Sequence, residues 1–349
     1  MFKCICGVGA AALLLVGCGQ SEQSVSEQVG SAAPQELVVY SARNEHLIKP
    51  LFDAFTETTG APISYITDKA GPLLSRLQAE GDSSPADVLI TVDAGNLWHA
   101  ANVGILANTD SDILQRNVPK HLRDADHRWH ALTIRARTIV YATDRVDPAQ
   151  LSTYEDLAQP QWQGRLCLRT SKKVYNQSLV AMMIAALGEE TTEKVVKGWV
   201  ANLAVAPFSN DTKTMEAIAA GQCDVGIVNT YYYGRLMKKQ PDLALKLFWP
   251  NQKGTDTQAR GTHINISGAG IIKSSKNKAQ AQALIEWLTG EEAQIMLMEL
   301  NRESAVNPAV KPLEDMLAWG EFKADATDVS EAGRLQAVAV KLMDRAGYR

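Results

Sequence analysis

Short apolar runs alternate with longer stretches in which apolar residues recur every three or four positions, and this alternation extends over most of the chain. Residues 36–40 predict a β-strand. After Ser41-Ala42-Arg43-Asn44-Glu45, the residues Leu47, Ile48, Leu51, Phe52 and Phe55 share one helical face, and Gly60 ends that helix. The unit then repeats, with strands over 63–66 and 87–91 and helices over 73–79 and 96–103. Strands that alternate with helices predict an α/β domain built on a parallel sheet.

Residues 133–141 form one long alternating strand, after which the pattern starts afresh. A strand at 164–168 leads into a helix from Gln177 through Ala186, and helices over 195–203 and 214–220 precede a strand over 225–228. The Gly-rich apolar run at 261–272 returns to the first unit, and helices over 279–288 and 291–300 follow it. Two such crossings predict an α/β protein of two lobes with a cleft between them. The N-terminal lobe takes 36–133 plus 258–308, and the C-terminal lobe takes 134–257 plus 309–349.

The first 35 residues break the pattern. Lys3, a short apolar run at 9–16 and Leu15-Val16-Gly17-Cys18 resemble a bacterial lipoprotein signal, which makes 1–17 a cleaved signal peptide and Cys18 the lipidated first residue. Residues 18–35, rich in Ser, Gln and Glu, predict a flexible tether with an r.m.s. span of roughly 20 to 25 Å. The protein is then periplasmic and held to a membrane through Cys18. At 349 residues the chain has material for two domains. Its net charge of −4, without a basic stripe interleaved with aromatics, gives no support to nucleic-acid binding. Cys4 and Cys6 leave with the signal; Cys167 and Cys223 remain, as two buried thiols or one disulfide.

The chemistry gathers at strand-to-helix joins. Tyr231-Tyr232-Tyr233 follow the apolar strand directly, and neither a helix nor a strand sends three consecutive side chains into one core. At least one must face the crevice. Tyr175 occupies an equivalent join after residues 166–168. Ligands collect at such joins in α/β sheets. Phenolate is a hard anionic donor suited to a small, highly charged cation. Ionising one phenol at pH 7 costs roughly 4 kcal/mol, and three cost roughly 12 kcal/mol, so a strong Lewis acid such as Fe³⁺ is favoured over Ca²⁺ or Mg²⁺. Arg43, beside a helix start that Asn44 is placed to cap, is either a solvated loop charge or part of an anion site. Arg135 can neutralise phenolates or an anion, or simply form a structural ion pair.

At these residues the chain resembles the ferric-ion-binding proteins of bacterial iron ABC importers, which have the type II periplasmic binding-protein fold. The matching segments are Tyr40-Ser41-Ala42-Arg43, Ser84-Pro85-Ala86-Asp87-Val88 with Thr91-Val92-Asp93, Arg135-Ala136-Arg137, Val174-Tyr175-Asn176-Gln177-Ser178 and Asn229-Thr230-Tyr231-Tyr232. The resemblance implies that Tyr175, Tyr231 and Tyr232 are phenolate ligands to a ferric cargo. It also implies that Arg43 and Arg135, with Asn44, hold a synergistic anion such as carbonate, and that Arg235 and Tyr233 stand around the ligands. Some relatives place His or Tyr where Asn44 and Glu45 stand, and Glu45 is a reasonable carboxylate ligand from the first lobe. The partner implied is an inner-membrane ABC permease, served by a monomer.

Rival readings are a binding protein of the same fold for an organic cation such as thiamine or a polyamine, boxed by the tyrosines, and a periplasmic hydrolase or metalloenzyme. His46, His99, His121, His127, His130 and His263 lack metal-site spacing, and no Gly-x-Ser-x-Gly occurs. Nothing in the sequence supplies catalytic machinery.

Overall fold

The first apolar run becomes strand β1 (Leu37–Ser41) in the computed structural model, which describes residues 35–349. The signal peptide, Cys18 and all of the predicted tether except Gln35 lie outside the described residues. The helix Glu45–Thr59 buries Ile48, Leu51, Phe52 and Phe55, the face expected from their spacing. Gly60 ends it in a left-handed conformation (φ 73°), donating its N–H to Thr56 O, a geometry that costs glycine no Cβ clash.

Eight further strands follow: β2 (Ile63–Thr67), β3 (Val88–Val92), β4 (His130–Ala142), β5 (Leu166–Cys167), β6 (Val225–Asn229), β7 (Leu245–Phe248), β8 (Ile264–Ile271) and β9 (Ser304–Ala305). They join in the order β2-β1-β3-β8-β4-β6-β5, with β7 and β9 also paired to β4. The sheet is mixed. β1 pairs in parallel with β2 and β3, and β5 with β6, whereas β8 lies antiparallel between β3 and β4. The wholly parallel first unit expected from the alternation is corrected here. β8 arrives from the far half of the molecule by a loop, and an antiparallel neighbour needs no helical crossover.

One strand carries the chain between the lobes. β4 pairs with β8 through Ala136 opposite Ile264, then with β6 from Arg137 opposite Asn229, and with β7 beyond. Each half of the sheet is buried on both faces, by separate clusters. In the first half, Leu37, Ile48, Phe52 and Leu284 pack on one side and Tyr40, Leu89, Leu97 and Trp129 on the other. Trp162, Leu179, Trp199 and Leu342 cover one side of the second half, and Met215, Ile218, Val228 and Leu236 cover the other. This is the two-lobed α/β arrangement read from the sequence.

Cys167 and Cys223 are joined as a disulfide, with Cα atoms 5.9 Å apart, which settles the choice left open above. It ties β5 to the turn that precedes β6. Among the described residues no helix is long and apolar enough to cross a membrane.

Candidate metal centre

Helix Thr230–Lys239 starts as soon as β6 ends, so the three tyrosines occupy its first turn. Successive residues on a helix rotate by about 100°, and the trio therefore fans out. Tyr231 and Tyr232 face the cleft, their ring centroids 4.4 Å apart. Tyr233 turns the other way, donates to Leu245 O at 3.2 Å and meets Trp319 edge-on. Tyr175 comes from the first turn of helix Val174–Leu187 and faces the same cleft.

The three phenols share a pocket of ≈ 180 Å³. Its far wall is Ala42, Arg43, Asn44 and Leu47, from the loop after β1 and the helix that follows, while Arg135 and Glu303 also line it. Guanidinium groups interleave the rings. Arg135 Cζ lies 5.3 Å from the Tyr175 ring centre, Arg169 Cζ lies 5.1 Å from Tyr175 and 5.7 Å from Tyr232, and Arg235 Cζ lies 5.1 Å from Tyr231. A larger cavity of ≈ 390 Å³ is lined by Trp249, Trp319 and Phe322 but has no phenol and no cation, so volume is a poor guide to chemistry here.

Glu303 balances these cations. It is buried, pairs with Arg43 at 3.1 Å, and accepts hydrogen bonds from Thr133 and Ser267. Burial alone would raise its carboxyl, but Arg43 and Arg135 outweigh burial and hold it below the usual range. Arg43 also donates to Ser267 and to Asn301 Oδ1. Its Nε, together with Arg135 Nη2 and Asn301 Nδ2, is buried without a hydrogen-bond partner. Buried donors of this kind are costly unless something accepts from them.

Burial pushes the Tyr231 phenol well above its ordinary value, and the neighbouring phenols of Tyr175 and Tyr232 add to the rise. Tyr175 is raised as well, by burial, against the pull of Arg135. Burial thus favours the neutral phenols of Tyr175 and Tyr231, and a cation that binds them must displace protons.

The family model for bacterial extracellular solute-binding proteins matches residues 83–323. The chain belongs to that family. This solute-binding protein is 42% identical to iron uptake protein A1 of Synechocystis sp. over 96% of its own length and 93% of the relative's. It is 30% identical to the Fe(3+)-binding periplasmic protein of Serratia marcescens, over 91% of this chain and 92% of that one. Among solved structures, Trichodesmium FutA in complex with iron and citrate superposes with a TM-score of 0.85 at 41% identity, covering 90% of this chain and all of that one. The type II periplasmic binding-protein fold expected from the sequence resemblance is the fold of such neighbours.

Three expectations about the site of this solute-binding protein change. Glu45 is exposed, accepts a hydrogen bond from Tyr65 at 2.8 Å and does not line the pocket, so its carboxylate stands apart from the phenols. Asn44 holds the cap position but makes no capping bond; its exposed side chain lines the pocket mouth instead. Tyr233, expected to stand around the ligands, is a core residue of the second lobe.

Sequence reasoning missed Glu303, Arg169, Asp93 and Asn301. Asp93 alone carried a signal, since it ends one of the matching segments. In the structure it faces Arg135 at 3.8 Å and accepts from Ser178 and Asn265. Among the described residues no cluster of His, Cys, Asp or Glu is suited to hold a metal. His130 and His263 are buried, and burial first of all lowers them to about 4 and about 3, as neutral core imidazoles.

Proposed function

We propose that this protein captures Fe³⁺ between its lobes through the phenolates of Tyr175, Tyr231 and Tyr232, with a synergistic anion held at Arg43 and Arg135. It then hands the ion to an inner-membrane ABC permease. The observation that carries this reading is the convergence of three phenols on one pocket lined by Arg43 and Arg135. A trivalent ion that ionises three phenols keeps no net charge among them, and the surrounding guanidiniums favour their ionised form. The relatives named for iron uptake and Fe(3+) binding point the same way.

With Glu45 directed elsewhere, the anion supplies the link to the first lobe. The unpartnered Nε of Arg43 and Nη2 of Arg135 are donors for it. Carbonate suits them, and so does an organic carboxylate, the class of the citrate bound with iron in the Trichodesmium protein. Metal and anion that bridge both lobes bind the closed form better and so shift the population toward it. Function is binding without turnover, by a monomer anchored in the periplasm through lipidated Cys18.

An organic cation is disfavoured by the same arginines. Arg135, Arg169 and Arg235 lie close to the ring faces that a boxed ammonium would need, and they repel it. The test is a titration with Fe³⁺ supplied as a weak chelate. Wild-type protein is expected to develop a visible phenolate-to-iron band, and Tyr175→Phe to lose intensity and affinity. A colourless protein, or a Tyr175→Phe variant that titrates like wild type, rejects the reading.

A further inference from the structure

The three phenols come from the first turns of two separate helices, and the starts of both helices are fastened to one buried arginine that does not line the pocket. Arg137 is the first residue of β4 to pair with β6 and is 2% exposed. Its Nε donates to Asn176 Oδ1 at 3.0 Å, its Nη1 to Asp211 Oδ2 and Asn229 Oδ1 at 3.1 Å each, and its Nη2 to Asn176 Oδ1 and Ile227 O. Asn176 follows Tyr175 directly. Asn229 ends β6, two residues before Tyr231, and its Nδ2 donates to the Tyr231 hydroxyl at 3.3 Å.

The remaining bonds of this knot also lead to the phenols. Asp211 accepts from the backbone N–H of Asn229 at 2.9 Å and from Arg169 at 3.5 Å, and the Arg169 guanidinium lies against both Tyr175 and Tyr232. Asn176 Nδ2 donates to Arg169 O, Thr170 O and the hydroxyl of Tyr348. All three nitrogens of the Arg137 guanidinium are bonded, and buried hydrogen bonds so satisfied rigidify what they hold. Arg137 itself is absent from the lining of the pocket that holds the phenols.

We infer that Arg137 is the positioning residue that sets the spacing between Tyr175 and the Tyr231–Tyr232 pair, acting through Asn176 and Asn229. This rests on the ferric reading above and adds to it the group that fixes the geometry of its ligands. A planar guanidinium can serve two helix starts at once, because its N–H groups form a fixed fork; an ammonium on a flexible stem cannot. Groups that orient metal ligands from behind typically change metal affinity by about 10- to 100-fold when replaced.

The experiment compares wild type, Arg137→Lys and the near-isosteric Asp211→Asn by Fe³⁺ titration and visible spectroscopy, with thermal melting alongside. Arg137→Lys is expected to bind Fe³⁺ about tenfold or more weakly and to move the wavelength maximum of the phenolate band. Asp211→Asn, which removes the negative charge facing Arg137 and Arg169 and one of its two acceptor oxygens, is expected to do the same to a lesser degree. A purely structural role lowers the melting temperature and leaves the band of the folded, loaded protein where it was; that result overturns the inference. If Arg137→Lys fails to fold, an unmoved band and unchanged affinity in Asp211→Asn overturn it equally. Wild-type protein that gives no band refutes the ferric reading and takes this inference with it, whereas a normal wild-type band with unaltered variants refutes the positioning role alone.

Discussion

Ser178 Oγ lies 2.9 and 2.8 Å from the two carboxylate oxygens of Asp93, joining the helix that bears Tyr175 to the turn after β3 in the opposite lobe. Asp93 adopts φ 81°, a conformation that L-residues rarely take, and is fully buried. Burial raises its carboxyl above the ordinary range, against the pull of Arg135, Ser178, Gly95 and Asn265. A carboxyl raised on folding contributes stability below its unfolded value and loses it as pH rises through the folded value. Ser178→Ala removes a donor to the ionised form. It is expected to destabilise by about 1–3 kcal/mol, with the deficit in melting temperature larger at neutral than at acid pH. Equal deficits at both would remove the ionised carboxylate from this account.

Within the tyrosine trio, Tyr232→Phe and Tyr233→Phe should part company. Loss of the Tyr232 oxygen is expected to weaken Fe³⁺ binding by more than about 1.4 kcal/mol, a factor of ten, and to diminish the visible band. Tyr233→Phe loses only its bond to Leu245 O, about 1 kcal/mol of stability, and should leave the band intact. Absorbance titrations of the two variants side by side decide it; an altered band in Tyr233→Phe would contradict its placement in the core.

Iron affinity should fall as pH falls. The Tyr175 and Tyr231 phenols are raised by burial and so are protonated throughout the physiological range, and each must release a proton to bind the ion. Proton release measured in weakly buffered solution should approach about three per ion, after correction for the chelator. Release near zero would mean that neutral phenols, or other groups, hold the metal.

Glu303→Gln should leave Arg43 and Arg135 without their main buried counter-charge. Breaking a buried pair in this way costs about 3–5 kcal/mol. Because Arg43 and Arg135 hold the Glu303 carboxyl low despite burial, the stability it contributes is present above its unfolded value and lost as pH falls through the lowered folded one. Added carbonate or citrate should restore the melting temperature of Glu303→Gln more than it raises that of wild type. An equal response in both proteins would argue against an anion at these arginines.

Reduction of Cys167–Cys223, or Cys223→Ser, should lower stability by about 4 kcal/mol, the loop-closure value for a bridge spanning 56 residues. Thermal melts with and without a reductant strong enough to reach a buried bridge provide the check.

Most of the elements were legible along the chain because their causes are local. The apolar period that marks the helix after Arg43, the glycine that stops it and the apolar run before Tyr231 each act over a few residues. The crowding of three tyrosines at one join was likewise readable, since no regular element can bury all three in one core. Partners brought together from afar were not legible. Glu303 meets Arg43 across a sequence separation of 260, and no local pattern marks it. Glu45 looked like a ligand because it is a carboxylate at a position where some relatives carry His or Tyr, yet its side chain turns outward to Tyr65. The antiparallel entry of β8 had no local signature either, since an apolar strand reads the same in both directions.

Local sterics, apolar periodicity and the chemistry of the phenol are written into the order of residues, and they were enough to indicate the fold class, the joins and the kind of ion that three tyrosines suit. Whether those phenols meet, which arginines flank them and which carboxylate compensates the arginines depended on the packed chain. Desolvation and charge compensation act over a few ångströms in space, whatever the distance along the sequence.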